Sequence, residues 1–130
     1  MTDSVHGKAL LSRWLPVVAV MAAIFMLSAQ PALPDVGVSD KQAHGLTYGA
    51  LAVLVLRALA RARWSGVSMG SALSSAVVAT LYGVSDEWHQ SFVPGRSSDV
   101  RDVVADAVGA LIAVLAVWLW SILATRRDAH

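Results

Sequence analysis

The sequence predicts an all-α membrane protein, a bundle of four transmembrane helices formed by a single domain over residues 1–130. The first observation is composition, since 56% of the residues are hydrophobic and only 15% are charged. A soluble domain carries about 25% charged and 45–50% apolar residues, so disordered and collagen-like chains are excluded and an ordinary soluble enzyme is disfavoured. The chain has no cysteine, which excludes a disulfide, a thiolate nucleophile and a cysteine-ligated metal.

The second observation is a set of four apolar stretches, predicted to span the membrane at about residues 14–33, 42–60, 66–85 and 103–124. A helix that crosses a hydrocarbon core of about 30 Å needs roughly 20 mostly apolar residues. The second stretch is short, but Arg57 and Arg61 extend it by snorkelling. Two alternatives stay open. The first stretch follows Lys8 and Arg13 as a signal peptide would, and the Gly- and Ser-rich third stretch could be a re-entrant or interfacial segment.

The third observation is an uneven distribution of charge between the loops. The two termini and the second loop hold seven basic and two acidic residues, whereas the first and third loops with their helix ends hold three basic and seven acidic ones. Short cytoplasmic loops are enriched in Lys and Arg. This distribution predicts that both termini are cytoplasmic and that the polar first and third loops face outward.

The predicted start of the second helix carries a polar stripe. Asp40, His44 and Tyr48 recur at i, i+4 and i+8, which places them on one helical face. Ser39 or Asp40 is suited to cap the helix amino terminus. As alternatives, Asp40 is only a helix cap, Lys41 is its solvated neighbour, and His44 is a hydrogen-bonded packing residue.

The predicted third loop and its flanking helix ends carry a second polar group. Glu87 and Gln90 are three residues apart, as are Asp86 and His89, so two polar pairs leave the third helix on neighbouring faces. Pro94 and Gly95 then predict a turn. The alternative interpretation makes His89 a packing residue, and Trp88 and Phe92 interfacial anchors.

The predicted fourth helix begins with three carboxylates on one face, since Asp99, Asp102 and Asp106 fall at i, i+3 and i+7. Asp106 lies near the hydrocarbon boundary, where an ionisable group is expensive unless paired and is a functional candidate by default. A polar clamp that joins Asp102 and Asp106 to Arg96, Arg101 or His44 is the structural alternative. Arg96 could also simply neutralise Glu87 or Asp99.

These blocks resemble the VanZ-like family of small bacterial membrane proteins. The likeness extends over about residues 40–113 and rests on the following positions: Asp40, Lys41, His44 and Tyr48; Glu87 and Gln90; Val93 to Arg96; Asp99 and Asp102; Gly109 and Ala110. The family usually has Asn where this chain has Asp106. The resemblance implies a cell-envelope context and, for some members, glycopeptide resistance of the teicoplanin type. It implies no particular reaction.

The first functional hypothesis is an outward-facing binding site for a lipid-linked cell-wall intermediate, an anionic lipid head group or a lipoglycopeptide. Arg96 would pair with a phosphate or carboxylate, while acidic, imidazole and amide groups would contact hydroxyl or amide groups. The predicted ligand-binding residues are Asp40, Lys41, His44, Tyr48, Glu87, Gln90, Arg96, Asp99, Asp102 and Asp106.

Two other hypotheses come from different classes of protein. One is a metal-assisted hydrolase or transferase, in which zinc, manganese or magnesium binds to a subset of His44, Glu87, His89, Asp102 and Asp106. Neither a His-Glu-x-x-His motif nor a Gly-x-Ser-x-Gly elbow supports it. The other is a proton-coupled channel or transporter, which four short helices would form only as a homo-oligomer. Nucleic-acid binding is excluded because the basic residues are scattered.

Overall fold

The computed structural model describes residues 2–31, 37 and 39–127, and it contains four helices and no strand within those ranges. The helices are α1 (Thr2–Ser28), α2 (Asp40–Leu59), α3 (Met69–Gln90) and α4 (Val100–Arg127). The predicted all-helical fold with four helices is therefore confirmed. The helix α3 continues five residues beyond the predicted span, so Asp86, Glu87 and Gln90 belong to the helix. Part of the predicted first span, residues 32 and 33, lies outside the described residues.

Serine residues define the starts of the two middle helices. The Ser39 hydroxyl accepts a hydrogen bond from the backbone N–H of Gln42, and the Gln42 side chain accepts one from the backbone N–H of Ser39, which completes a capping box. Ser68 caps α3 in the simpler way, by accepting from the N–H of Ser71. Of the two caps predicted for α2, the structure uses Ser39.

Small residues bring α2 and α4 into close contact. A Cβ added at Gly109 would overlap the carbonyl group of Gly45, and one added at Gly49 would lie 3.1 Å from the carbonyl oxygen of Gly109. In lipid, helices gain no hydrophobic drive to associate, so such close backbone packing supplies much of the attraction between them. Below this contact, Leu51 and Val114 are fully buried in the core.

The helix α1 packs on the outside of the unit formed by α2, α3 and α4. It contacts α2 and α3 and, within the described residues, does not contact α4. Two side chains of α3 bind it, since the Tyr82 hydroxyl donates to the carbonyl oxygen of Met21 at 2.6 Å and His89 Nδ1 lies 3.1 Å from Ser28 Oγ. The bundle is therefore a three-helix core with α1 covering one side.

The outer surface of the bundle is largely apolar. Leu15 on α1 and Ile112 on α4 each expose more than half of their surface. Residues 7–28 of α1 and the whole of α4 are long and apolar enough to cross a membrane, whereas α2 and α3 do not meet that criterion by themselves. Exposed apolar surface of this extent is unusual in soluble monomers. The apolar helices thus indicate a membrane protein, and the predicted four-span topology stays a prediction.

Candidate functional site

The polar residues gather at one end of the bundle, where α1 and α3 end and α2 and α4 begin. Lys41 of α2 contacts Asp102 of α4, and the Glu87 side chain of α3 accepts a hydrogen bond from the backbone N–H of Asp99 at 2.8 Å. The basic residues Arg57 and Arg126 lie near the other ends of their helices. The prediction that both polar segments meet at one mouth therefore agrees with the structure.

A cluster of ion pairs forms around Lys41. Its ammonium group donates to Asp102 and to Asp99, the latter at 3.1 Å, and lies 3.9 Å from Asp40. The bond to Asp102 and the charges of both carboxylates raise the pKa of Lys41, although partial burial opposes them. The pKa of Asp99 is lowered, because its carboxylate accepts from the backbone N–H of Arg101 and from Lys41. Both groups are charged at neutral pH.

His44 lies between two carboxylates of α4. Its Nδ1 is 2.9 Å from Asp106 Oδ1, and its Nε2 is 3.9 Å from Asp102 Oδ2. Asp106 is completely buried, and its Oδ2 has no hydrogen-bond partner in the part of the chain that the structure describes. A carboxylate that accepts from Nδ1 fixes the imidazole tautomer and leaves the Nε2 lone pair free. The His44 side chain lines both cavities described below.

A chain of hydrogen bonds connects Tyr48 to Arg96. The Tyr48 hydroxyl donates to Asp86 Oδ2 at 3.1 Å, Gln90 Nε2 donates to the same oxygen at 3.0 Å, and Arg96 donates to Gln90 Oε1 at 2.7 Å. Asp86 was not among the predicted ligand-binding residues. Its spacing of four from Gln90 was the available signal, since residues four apart are neighbours on one helical face.

The turn after α3 places Arg96 at the mouth. The backbone N–H of Arg96 donates to the carbonyl oxygen of Val93 at 3.1 Å, and Gly95 adopts φ +83°, which strongly favours glycine. The predicted Pro-Gly turn is therefore confirmed. Among the described residues, no carboxylate lies within ion-pair distance of the Arg96 guanidinium, so it does not neutralise Glu87 or Asp99.

Glu87 and His89 make structural contacts with other elements of the bundle. Glu87 is 4% exposed, and its bond from the Asp99 N–H fixes the start of α4. Burial raises the pKa of Glu87, and the nearby Asp102 charge adds to this effect. His89 instead faces α1, where its ring stacks on Phe25 with centroids 4.3 Å apart.

The geometry brings together a different set of potential metal ligands from the predicted one. Ligand atoms of Asp40, His44 and Asp102 all lie within 4.8 Å of one another. His44 and Asp102 belonged to the predicted metal set, and Asp40 was predicted only as a ligand-binding residue. Asp106 stands behind His44, as the outer carboxylate of a histidine ligand commonly does.

Two adjoining cavities open at this mouth. The polar cavity has a volume of about 260 Å³, and its lining includes Lys41, Asp99 and Asp102. The apolar cavity, of about 110 Å³, lies between α1 and α2, where Ile24, Leu27, Ala43 and Thr47 contribute to its lining. Both cavities share the same four side chains, which are those of Asp40, His44, Gln90 and Arg96.

Most predicted ligand-binding residues thus line these cavities or hold the residues that line them. Seven of them line the polar cavity: Asp40, Lys41, His44, Gln90, Arg96, Asp99 and Asp102. Tyr48 lines the apolar cavity, while Glu87 and Asp106 support the mouth through Asp99 and His44. Trp88 and Phe92 form an exposed T-shaped pair outside both cavities.

Comparison with known proteins identifies a family. A family model described as VanZ/LLP1 matches residues 13–122. This range includes every residue that lines the polar cavity and all of α2 and α3. No curated protein and no solved structure matches the chain.

Proposed function

Because the chain belongs to the VanZ/LLP1 family, we propose that it is a multi-pass protein of the bacterial cytoplasmic membrane with its polar mouth facing outward. The seven-to-three division of basic residues supports cytoplasmic termini. The apolar outer surfaces of α1 and α4 support insertion in lipid. In this orientation the mouth lies at the outer head-group layer.

We propose that the mouth binds the anionic head group of a cell-envelope lipid. The observation that carries this proposal is the Arg96 guanidinium, which lines both cavities and has only a neutral amide oxygen as its hydrogen-bond partner among the described residues. A guanidinium presents five donors in a planar fork that matches phosphate and carboxylate groups. A guanidinium that lines a polar cavity and has no carboxylate partner among the described residues is suited to such a ligand.

The other side chains restrict the kind of head group that fits. Asp40, Asp99 and Asp102 line the same cavity as Arg96, so a free multivalent anion binds less well there than an anion that also carries hydrogen-bond donors. Carboxylates accept hydrogen bonds, which favours a ligand that combines one anionic group with hydroxyl or amide donors. Lipid-linked cell-wall intermediates present this combination at the outer face of the membrane.

Native mass spectrometry of the purified protein tests this function. We expect a co-purifying anionic lipid with the wild-type protein and its loss in Arg96→Ala. Arg101→Ala is the matched control, because Arg101 is exposed near the mouth and lines neither cavity. Equal lipid occupancy in all three proteins contradicts the proposal.

A second candidate function is metal-assisted hydrolysis or group transfer at the same mouth. It is favoured by the closeness of Asp40, His44 and Asp102 and by the carboxylate of Asp106 behind His44. A divalent metal held there would supply a water of lowered pKa. Stoichiometric metal that is lost in the combined variant His44→Ala and Asp102→Ala, but kept in His89→Ala, supports this function. A metal-free protein that still binds lipid removes it.

In the cell, we propose that head-group binding contributes to glycopeptide resistance. A protein that occupies the head group of a cell-wall intermediate would alter access of a lipoglycopeptide to it. We expect expression of the wild-type chain to lower susceptibility to teicoplanin and expression of Arg96→Ala to leave it unchanged. Equal susceptibility with both proteins contradicts this role.

A further inference from the structure

We propose that the ligand is a complete amphiphile whose hydrocarbon chain enters the apolar cavity between α1 and α2 while its head group occupies the polar cavity. This inference rests on the proposed function, because it adds a binding site for the hydrocarbon tail of the same ligand whose anionic head group binds to Arg96.

The first argument is the contrast between the two cavities. The polar cavity is lined mainly by charged and amide side chains, whereas Ile24, Leu27 and Ala43 give the other cavity apolar walls. Of the polar groups that line it, Tyr48 and Asp86 are already hydrogen-bonded to each other. Away from the side chains shared with the polar cavity, its surface is mainly apolar, so burying a polar group there is costly.

The second argument is continuity. The cavities share the side chains of Asp40, His44, Gln90 and Arg96, so a molecule bound at Arg96 borders both spaces at once. A free anion would fill only the polar cavity. An alkyl chain attached to the anion extends directly into the apolar one, where burying each methylene contributes to affinity.

The third argument is access from the bilayer. Leu27 on the α1 wall of the apolar cavity is 55% exposed, and Thr47 on the α2 wall is also exposed. The outer surface of α1 is apolar along its length, so the lipid would lie beside this wall. A chain can thus reach the cavity sideways between α1 and α2 without leaving the hydrocarbon.

Short-chain probes test this inference. Hexyl phosphate and inorganic phosphate are titrated separately into the full-length protein in nanodiscs, with empty nanodiscs subtracted. We expect hexyl phosphate to bind about tenfold or more tightly than inorganic phosphate, since several methylenes become buried. Ala43→Trp fills the apolar cavity and should reduce hexyl phosphate affinity to that of inorganic phosphate. Ala50→Trp is the matched control, because Ala50 is exposed on α2 and does not line this cavity.

The outcomes separate the two proposals. Equal affinity for both probes, with no effect of Ala43→Trp, overturns the hydrocarbon site and leaves the head-group site intact. Unchanged affinity for both probes in Arg96→Ala overturns the head-group site itself. Ile24→Trp narrows the same cavity from the α1 side, so it repeats the test if Ala43→Trp fails to fold.

Discussion

The carboxylate of Asp106 occupies the space that a side chain at Gly83 would need, so α3 and α4 meet at a glycine and a buried acid. A Cβ at Gly83 would overlap Asp106 Oδ2 and would lie 3.2 Å from the Asp106 Cβ. The absence of a side chain on α3 is thus what allows Asp106 to reach His44 on α2.

Gly83→Ala should therefore displace Asp106 and break its bond to His44. Overpacking of a tight interior costs about 1–3 kcal/mol, so we expect a lower melting temperature in detergent. Gly70→Ala is the control, since a Cβ there meets only the Ser68 hydroxyl at 3.9 Å. Wild-type stability in Gly83→Ala would contradict this account of the contact.

Substitutions of Asp106 should separate its charge from its hydrogen bond. Asp106→Asn keeps an oxygen that accepts from His44 Nδ1 and removes a buried charge whose second oxygen has no partner among the described residues. We expect it to be at least as stable as the wild type. Asp106→Leu leaves the imidazole unpaired and should lose about 1–3 kcal/mol. Thermal unfolding compares them, and equal stability of the two variants would refute the role of the bond.

The contact between Gly45 and Gly109 should tolerate no added carbon. Gly109→Ala places a methyl group against the carbonyl of Gly45, which is backbone and cannot move aside without separating α2 from α4. We expect a loss of folded monomer on size-exclusion chromatography. Gly7→Ala, where a Cβ meets nothing within 4 Å, should elute as the wild type. Normal elution of Gly109→Ala would show that the helices separate more easily than the packing implies.

Tyr48→Phe should weaken the hydrogen-bond chain that ends at Arg96. The variant keeps the ring but removes the Tyr48 donor to Asp86, which then retains Gln90 as its side-chain donor among the described residues. Hydrogen bonds between membrane helices contribute about 0.6 kcal/mol on average, so we expect a small loss of stability. The larger effect should be weaker binding of hexyl phosphate, because Gln90 positions the guanidinium. Unchanged binding would show that Arg96 holds its position without this chain.

Glu87→Gln should stabilise the protein at alkaline pH. Burial raises the pKa of Glu87, so the folded protein holds this proton more tightly than the unfolded chain does. At a pH above the pKa of Glu87 in the folded protein, the ionised carboxylate therefore lowers the free energy of unfolding. This penalty vanishes when the pH falls below 4.5, the ordinary pKa of a glutamate. We expect the variant to melt above the wild type at pH 8, by a margin that shrinks towards pH 4.5.

Asp99→Asn supplies a comparison of opposite sign. The pKa of Asp99 is lowered, so its carboxylate stabilises the folded state above its ordinary pKa and loses that effect as the pH falls. We expect this variant to melt below the wild type at pH 8. If both variants shift the melting temperature in the same direction at pH 8, the assigned environments are wrong.

Periodicity and charge distribution were sufficient to predict the helices and the convergence of the mouth. The i, i+4, i+8 spacing of Asp40, His44 and Tyr48 fixes their common face whatever the helix packs against. The pair of His44 with Asp106 was among the predicted alternatives, whereas the pair of Lys41 with Asp102 was not, since Lys41 was interpreted as a solvated neighbour of Asp40.

Contacts that depend on helix rotation could not be predicted in this way. His89 and Asp86 lie three residues apart on α3, yet His89 stacks on Phe25 of α1 while Asp86 binds Tyr48 of α2. The packing of α1 on the outside of the core decides which helix contacts each face of α3. No local sequence pattern predicts where α1 packs. The orientation in the membrane stays a prediction from charge.

The separation of acidic and basic ends gives the bundle an electric dipole along its long axis. Carboxylates of Asp40, Asp99 and Asp102 lie at the mouth, and Arg57 and Arg126 lie towards the opposite ends of α2 and α4. In the proposed orientation, an inside-negative potential attracts the arginines inward and repels the carboxylates outward. Each elementary charge moved across 100 mV changes the energy by about 2.3 kcal/mol. In that orientation, an energised membrane would oppose inversion of the protein and would hold the mouth on the outer side.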